Sequence, residues 1–304
     1  MRQSKLTWEL AVRRRKMFVE TSVALKVGTK LLPERSWEAL AEQLAIDFDF
    51  VVSPLTFFEI LNRLAGGKTQ YVVRNARSLL ALSPTGPRDS TFLEMPGQFV
   101  LREVLKCGPV SDTFQPEHLR DAMAIILEER ELSPELVAWL ADVRRMHGSG
   151  TGDLVEKYRE IQKLGQTEPN RELWLRAKFE QLGIISLSSG EVAALGGRLD
   201  AAYQYDAWTR QNQLRNPAYV PTPERSRGDW VDGQQLWYLA DPQIHMLYVD
   251  RDFKIRTEQS AQKAQLVDAL RMLKDSDYLK GISALRRHEP TISLEELERQ
   301  LGFD

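Results

Sequence analysis

KMFVETSVALKVG, residues 16–28, decides how this chain folds. Met17–Val19 is a short apolar run of the kind that makes a buried strand. Glu20 follows it at once, and Thr21 and Ser22 suit the opening of a helix. The pattern recurs. Phe48–Val52 is a second apolar run, followed by SPLTFFEILNRLAGG, in which Ser53 suits an N-cap, Pro54 the first helical position, and Gly66 and Gly67 the end. Met246–Val249 is a third, and Asp250 and Asp252 come directly after it. Strands separated by helical segments require crossover connections, which predicts an α/β fold with a parallel sheet.

Ligands of such sheets bind outside the carboxyl ends of the strands. Five acids are placed to reach that edge. Glu20 ends the first strand, and Glu59 lies in the second turn of the helix after the second. Asp232 begins the apolar-periodic DGQQLWYLA, and Asp250 and Asp252 follow the third strand. Crowded carboxylates repel one another, and a divalent cation relieves that repulsion. Oxygen ligands without His or Cys favour Mg²⁺ or Mn²⁺ over zinc.

The totals exclude several alternatives. The 304 residues are 42% hydrophobic and carry a formal net charge of −2, so the whole-molecule charge does not point to nucleic acid. Charge is uneven locally: Arg2, Lys5, Arg13, Arg14, Arg15 and Lys16 face Glu9 alone in the first sixteen residues. Cys107 is the one cysteine, which rules out an internal disulfide and a cysteine zinc site and makes a reducing cytoplasm the expected location. The four histidines are scattered without ligand spacing. No apolar stretch approaches the ~20 residues of a membrane helix, so no membrane partner is expected. GGKT, residues 66–69, lacks the earlier glycine and preceding strand of a phosphate-binding loop and is set aside.

The middle of the chain reads as helix. QPEHLRDAMAIILEERELSPELVAWLADVRRMHG suggests two helices broken at Ser133–Pro134, and SGTGD (149–153) a joint. RELWLRAKFEQLG and EVAALGGRLDAAYQYDAWTRQNQL add two more, with Tyr203, Tyr205 and Trp208 assigned to core. RNPAYVPTPERSRGDW, residues 215–230, reads as an extended connection, residues 258–273 as one long helix, and Ser293 and Glu296 as a capping box.

MFVETSVALKV, FVVSPLTFFEILNRL, DGQQLWYLA and LYVDRDFK resemble, in that order, the four acidic motifs of PIN-domain nucleases. The resemblance covers residues 12–68 and 228–275. It implies a discontinuous PIN-like core, residues 1–75 and 225–304, with residues 76–224 as a helical insertion subdomain. It implies an endoribonuclease using Mg²⁺ or Mn²⁺, in a toxin, defence or RNA-processing role. Glu20, Glu59, Asp232 and Asp252 would hold the metal, with Asp250 as a further catalytic acid and Ser22, Thr21, Ser53 and Thr56 in support. RNA is the implied substrate, with DNA as the alternative, and an antitoxin-like protein and a second copy of the chain are the implied protein partners. Arg13, Arg14, Arg15 and Lys16 are the candidate phosphate contacts.

The chain departs from the family at Glu20, where Asp is usual, and at Asp250, where Thr or Ser is usual. Asp229, one helical turn before Asp232, competes with it as the third acid. Two rival readings stand beside the nuclease: a degenerate PIN-like domain that binds RNA or a protein without cutting, and a mainly helical interaction protein.

Overall fold

Arg15–Val19 forms β1, and Met17, Phe18 and Val19 are buried along it. A computed structural model describes residues 14–28, 34–61, 69–80, 92–106, 116–128, 134, 138, 171–180, 187–215 and 223–274. Glu20 leaves β1 for helix α1 (Thr21–Gly28), and α2 (Glu34–Leu44) leads to β2 (Phe48–Val51). Pro54 opens α3 (Pro54–Leu61), as its fixed φ favours. Among the described residues the next helices are α4 (Thr69–Leu80), α5 (Pro96–Glu103), α6 (Pro116–Leu127), α7 (Arg171–Glu180) and α8 (Ser189–Arg198). Two longer ones, α9 (Asp200–Arg215) and α10 (Pro223–Gln235), precede a 3₁₀ turn at Leu236–Ala240. The chain then makes β3 (Ile244–Tyr248), α11 (Arg251–Arg256), β4 (Leu266–Asp268) and α12 (Ala269–Lys274).

The four strands among the described residues are parallel, in the order β2-β1-β3-β4, and helices flank them, so the fold is α/β. Phe18 is in register with Val51 on one side and Met246 on the other. Alternate residues of β1 serve two cores, one on each face. Met17 and Val19 join Trp37, Leu40, Phe57, Ile60, Val72 and Met123 from α2, α3, α4 and α6. Phe18 joins Phe99, Phe179, Tyr205, Tyr238, Met246 and Phe253 on the other face. Helices α5, α7, α8 and α9 thus share a core with the sheet.

Three expectations are corrected. The stretch 258–273 is not one helix: Leu266–Asp268 pairs with Met246–Tyr248 as a fourth strand, and the ladder overrides the helical period around it. Residues 223–230 are helical rather than extended, with Pro223 at the start of α10, so Asp232 lies inside that helix and does not open it. The run 191–214 is split at Leu199, and α8 carries a capping box between Ser188 and Glu191. Gly66, Gly67, Ser133, the 149–153 joint and the Ser293–Glu296 box lie outside the described residues. Among the described residues, no helix is long and apolar enough to cross a membrane.

Candidate functional site

β1 connects to β2 on one side, and β3 and β4 lie on the other, so the strand order reverses between β1 and β3. The carboxyl ends of two such strands part and leave a crevice, the usual ligand position of an open parallel sheet. Glu20 and Asp250 stand on either side of it. The backbone N–H of Glu20 donates to Leu247 O at 2.9 Å, the last rung between these strands.

Glu20 is 3% exposed. Its carboxylate turns back to the start of α1, accepting from Ser22 N at 2.7 Å through Oε1 and from the Ser22 hydroxyl through Oε2. This is an N-cap arrangement, favourable to an anion. Burial still outweighs it: desolvation pushes the Glu20 carboxyl up from 4.5 to about 8, and the charges of Glu59 and Asp250 add to the rise against the Ser22 hydrogen bonds.

Glu59 comes from α3, and Thr21 donates its hydroxyl to Glu59 Oε2. The first turn of α3 is tied to β1 by Thr56, whose hydroxyl donates to Val19 O at 2.9 Å and faces Gln235 Nε2 at 3.4 Å. Ser53 is fully buried just before that turn, and its carbonyl accepts from Phe57 N at 3.2 Å. Thr56 and Ser53 therefore hold the frame that presents Glu59.

Asp232 comes from α10. Burial first, then the charges of Glu20 and Glu59, push its carboxyl well above the usual range, and a hydrogen bond from Tyr205 opposes them. Tyr205 OH donates to Asp232 Oδ2 at 2.9 Å. Asp250 caps α11, its Oδ1 accepting from Asp252 N at 2.8 Å, and its charge bears on both Glu20 and Asp232. Glu20, Glu59, Asp232 and Asp250 thus feel one another across four separated stretches of chain.

Asp252 turns the other way. It is exposed, and its Oδ2 meets Arg256 Nη2 at 2.9 Å, one helical turn on. Asp229 also goes to Arg256, at 2.6 Å, so the structure brings Asp232 rather than Asp229 to the other acids. Arg256 is buried between the Tyr205 and Trp208 rings, 4.6 and 4.7 Å from their centres. Tyr203, two residues before Tyr205 and so on another side of α9, packs on Trp174 instead.

The basic run lies at the opposite end of the sheet. Arg15 and Lys16 begin β1, and the strand rises about 3.3 Å per residue, which puts them roughly 16 and 13 Å from Glu20 along it. Arg14 meets Asp49 Oδ1 at 3.4 Å, Arg15 lies over the Phe48 ring at 4.5 Å, and Arg13 falls outside the described residues.

The acids offer only oxygen donors, the chemistry of a Mg²⁺ or Mn²⁺ site. As the side chains lie, both oxygens of Glu20 and one each of Glu59, Asp232 and Asp250 accept from internal donors, and among the described residues no group of three or more His, Cys, Asp or Glu is arranged to hold an ion. Two contributors escaped the sequence reading: Tyr205, with no local signal of its contact 27 residues away, and Arg256, whose spacing from Asp252 was a usable sign of an i, i+4 pair. Comparison with protein-family models, with curated proteins and with solved structures returned no match to this chain.

Proposed function

We propose that this chain is a metal-dependent phosphodiesterase of the PIN-domain kind, acting on RNA as an endonuclease. One observation carries the reading: Glu20, Glu59, Asp232 and Asp250 come from four separated elements and meet beside the β1–β3 crevice, where the charges of Glu59 and Asp250 help raise the Glu20 and Asp232 carboxyls. Such like-charge crowding is the arrangement a divalent cation relieves. The ordered motif resemblance supplies the family, and the described helices of 76–224 become an elaboration that joins the cores on both faces of its sheet.

In this reading Glu20, Glu59, Asp232 and Asp250 hold Mg²⁺ or Mn²⁺, and Asp252 serves α11 through Arg256. A bound ion supplies an activated water and neutralises charge on the leaving oxygen. The residues of the chain do the positioning. Thr21, Ser22 and Tyr205 orient the carboxylates, and Thr56 fixes α3 against the end of β1. Glu20 and Asp232, whose carboxyls are raised, would have to lose their protons, and Glu20 would have to turn from Ser22, for an ion to bind, so binding would release protons. A reducing cytoplasm, an antitoxin-like inhibitor and self-association complete the proposal.

The experiment is incubation of the purified chain with mixed RNA and Mn²⁺, with and without EDTA, beside Glu59→Ala and Asp232→Asn. Cleavage that needs the metal and both acids supports the nuclease; cleavage that survives both substitutions removes this site from consideration. A second reading, a PIN-like domain that binds without cutting, is favoured by one feature: both oxygens of Glu20 are already engaged by Ser22. It predicts RNA binding with no Mn²⁺-dependent products.

A further inference from the structure

We propose that Tyr205 is the positioning residue of Asp232, so that a helix outside the motif-bearing segments completes the acidic site. The inference rests on the metal reading above and names a part of the site that no motif contains.

Tyr205 is fully enclosed, at 2% exposure, and its hydroxyl has Asp232 Oδ2 2.9 Å away. A phenol donates one hydrogen, so this bond holds one carboxylate oxygen and leaves Oδ1 as the oxygen for an ion. The ring has little freedom to move. Arg256 lies over it at 4.6 Å, with Trp208 as the guanidinium's other aromatic contact at 4.7 Å. Arg256 is itself held by Asp229 at 2.6 Å, Thr209 at 3.1 Å and Asp252 at 2.9 Å. Asp229 and Asp232 are one turn apart on α10. That helix is therefore gripped twice, once through Arg256 and once through the tyrosine stacked beneath it.

The start of α9 is anchored as firmly. Asp200 pairs with Arg171 and accepts from Ala261 N at 2.8 Å. Gln262 accepts from Ala201 N at 2.8 Å and donates to Gly197 O at 2.6 Å. Tyr205 thus delivers its hydroxyl from a fixed helix, and an outer partner of a metal ligand is effective when its own support is rigid.

The test is Mn²⁺ affinity of the full chain, read by water-proton relaxation, which follows weak as well as tight binding. Wild type, Tyr205→Phe, Asp232→Asn and the double variant are compared, with melting curves alongside. Tyr205→Phe keeps the ring and its stack and removes only the donor. The expected result is about a 10- to 100-fold weaker affinity in Tyr205→Phe, with no further loss when the same change is added to Asp232→Asn. An affinity within twofold of wild type overturns the inference while leaving the metal reading in place. So does an equal loss in the Asp232→Asn background, because the tyrosine would then act elsewhere. A wild-type chain that binds no Mn²⁺ overturns the metal reading and this inference with it.

Discussion

The two ends of the sheet handle charge in opposite ways. At the amino end, Arg14 and Arg15 stand beside Asp49 and Asp47 at 3.4 and 3.9 Å, with all four side chains at least 46% exposed. Water screens such pairs, and each is worth less than about 1 kcal/mol. At the carboxyl end, Glu20 is buried with Asp232, Glu59 and Asp250 for company, and the neighbouring buried cation, Arg256, is committed to Asp229 and Asp252. One end is balanced and exposed; the other is unbalanced, with Glu20 buried and its neighbours partly buried. An imbalance of that kind lowers stability and persists where a bound ligand compensates it. The formal net charge of −2 conceals it entirely.

The sharpest way to break the comparison is catalytic. Losing an outer partner of a metal ligand costs about 10- to 100-fold, so Glu59→Ala or Asp232→Asn, which remove candidate ligands outright, are expected to reduce Mn²⁺-dependent RNA cleavage by at least about 100-fold. Arg14→Ala, at the other end, is expected to leave the rate at saturating RNA within twofold. Initial rates on a labelled RNA decide it; equal losses at the two ends would erase the distinction.

How much of each end was legible follows from how its signal is written. Glu20 and Asp250 each end a buried apolar run, and Glu59 sits behind Ser-Pro, so strand periodicity and helix-start chemistry located them without coordinates. The basic run was judged by its closeness in sequence to Glu20, but an extended strand converts those few residues into its whole length. β4 was hidden because Leu266–Asp268 is only three residues long and is followed by a helical pattern; pairing with β3 decides its state. Asp252 looked like Asp250's equal by position. Its i, i+4 spacing to Arg256 was the clue that it belongs to an ion pair. Tyr205 carried no clue, since a contact between α9 and α10 leaves no mark on local pattern.

Stability gives the next contrast. Glu20→Gln removes an ionisable group from a buried, like-charged setting while keeping its shape. At pH 8 and without metal, the variant is expected to be more stable than wild type by about 1–2 kcal/mol, measured by urea denaturation with EDTA present. The same substitution is expected to weaken Mn²⁺ binding, so stability and metal affinity move in opposite directions. A loss of stability in Glu20→Gln would mean that the Ser22 hydrogen bonds outweigh the desolvation.

The two ends also titrate in opposite senses. Glu20 has its carboxyl raised from 4.5 to about 8, so between those values the unfolded chain has lost a proton that the folded one keeps. Its contribution to stability is therefore full below pH 4.5 and declines as pH rises to about 8, and Asp232 adds a decline of the same sign. His245, packed on Phe48 near the amino end, has its imidazole lowered from 6.5 by burial and then by Arg15. Its contribution is present above pH 6.5 and is lost as pH falls. Melting temperature against pH in EDTA is expected to decline from pH 5 to 8 in wild type. In Glu20→Gln the decline is shallower, and adding His245→Asn, which removes the opposing contribution lost below pH 6.5, steepens it again. Saturating Mn²⁺ reverses the wild-type slope, because ionised acids bind the ion and bound ion stabilises the fold. A slope unchanged by Glu20→Gln would place the titrating group elsewhere.

The smallest effect belongs to the balanced end. Arg14 and Asp49 are each more than half exposed and 3.4 Å apart, and the guanidinium also reaches Ile46 O at 3.4 Å. Ordering two long side chains costs entropy that offsets a screened attraction, so Asp49→Asn should change stability by no more than about 0.5 kcal/mol, with no change in the pH slope or in Mn²⁺ affinity. If Asp49→Asn matched Glu20→Gln in size, charge at the amino end would be as confined as at the carboxyl end. Exposure would then no longer explain why only one end of the sheet leaves its acids unbalanced.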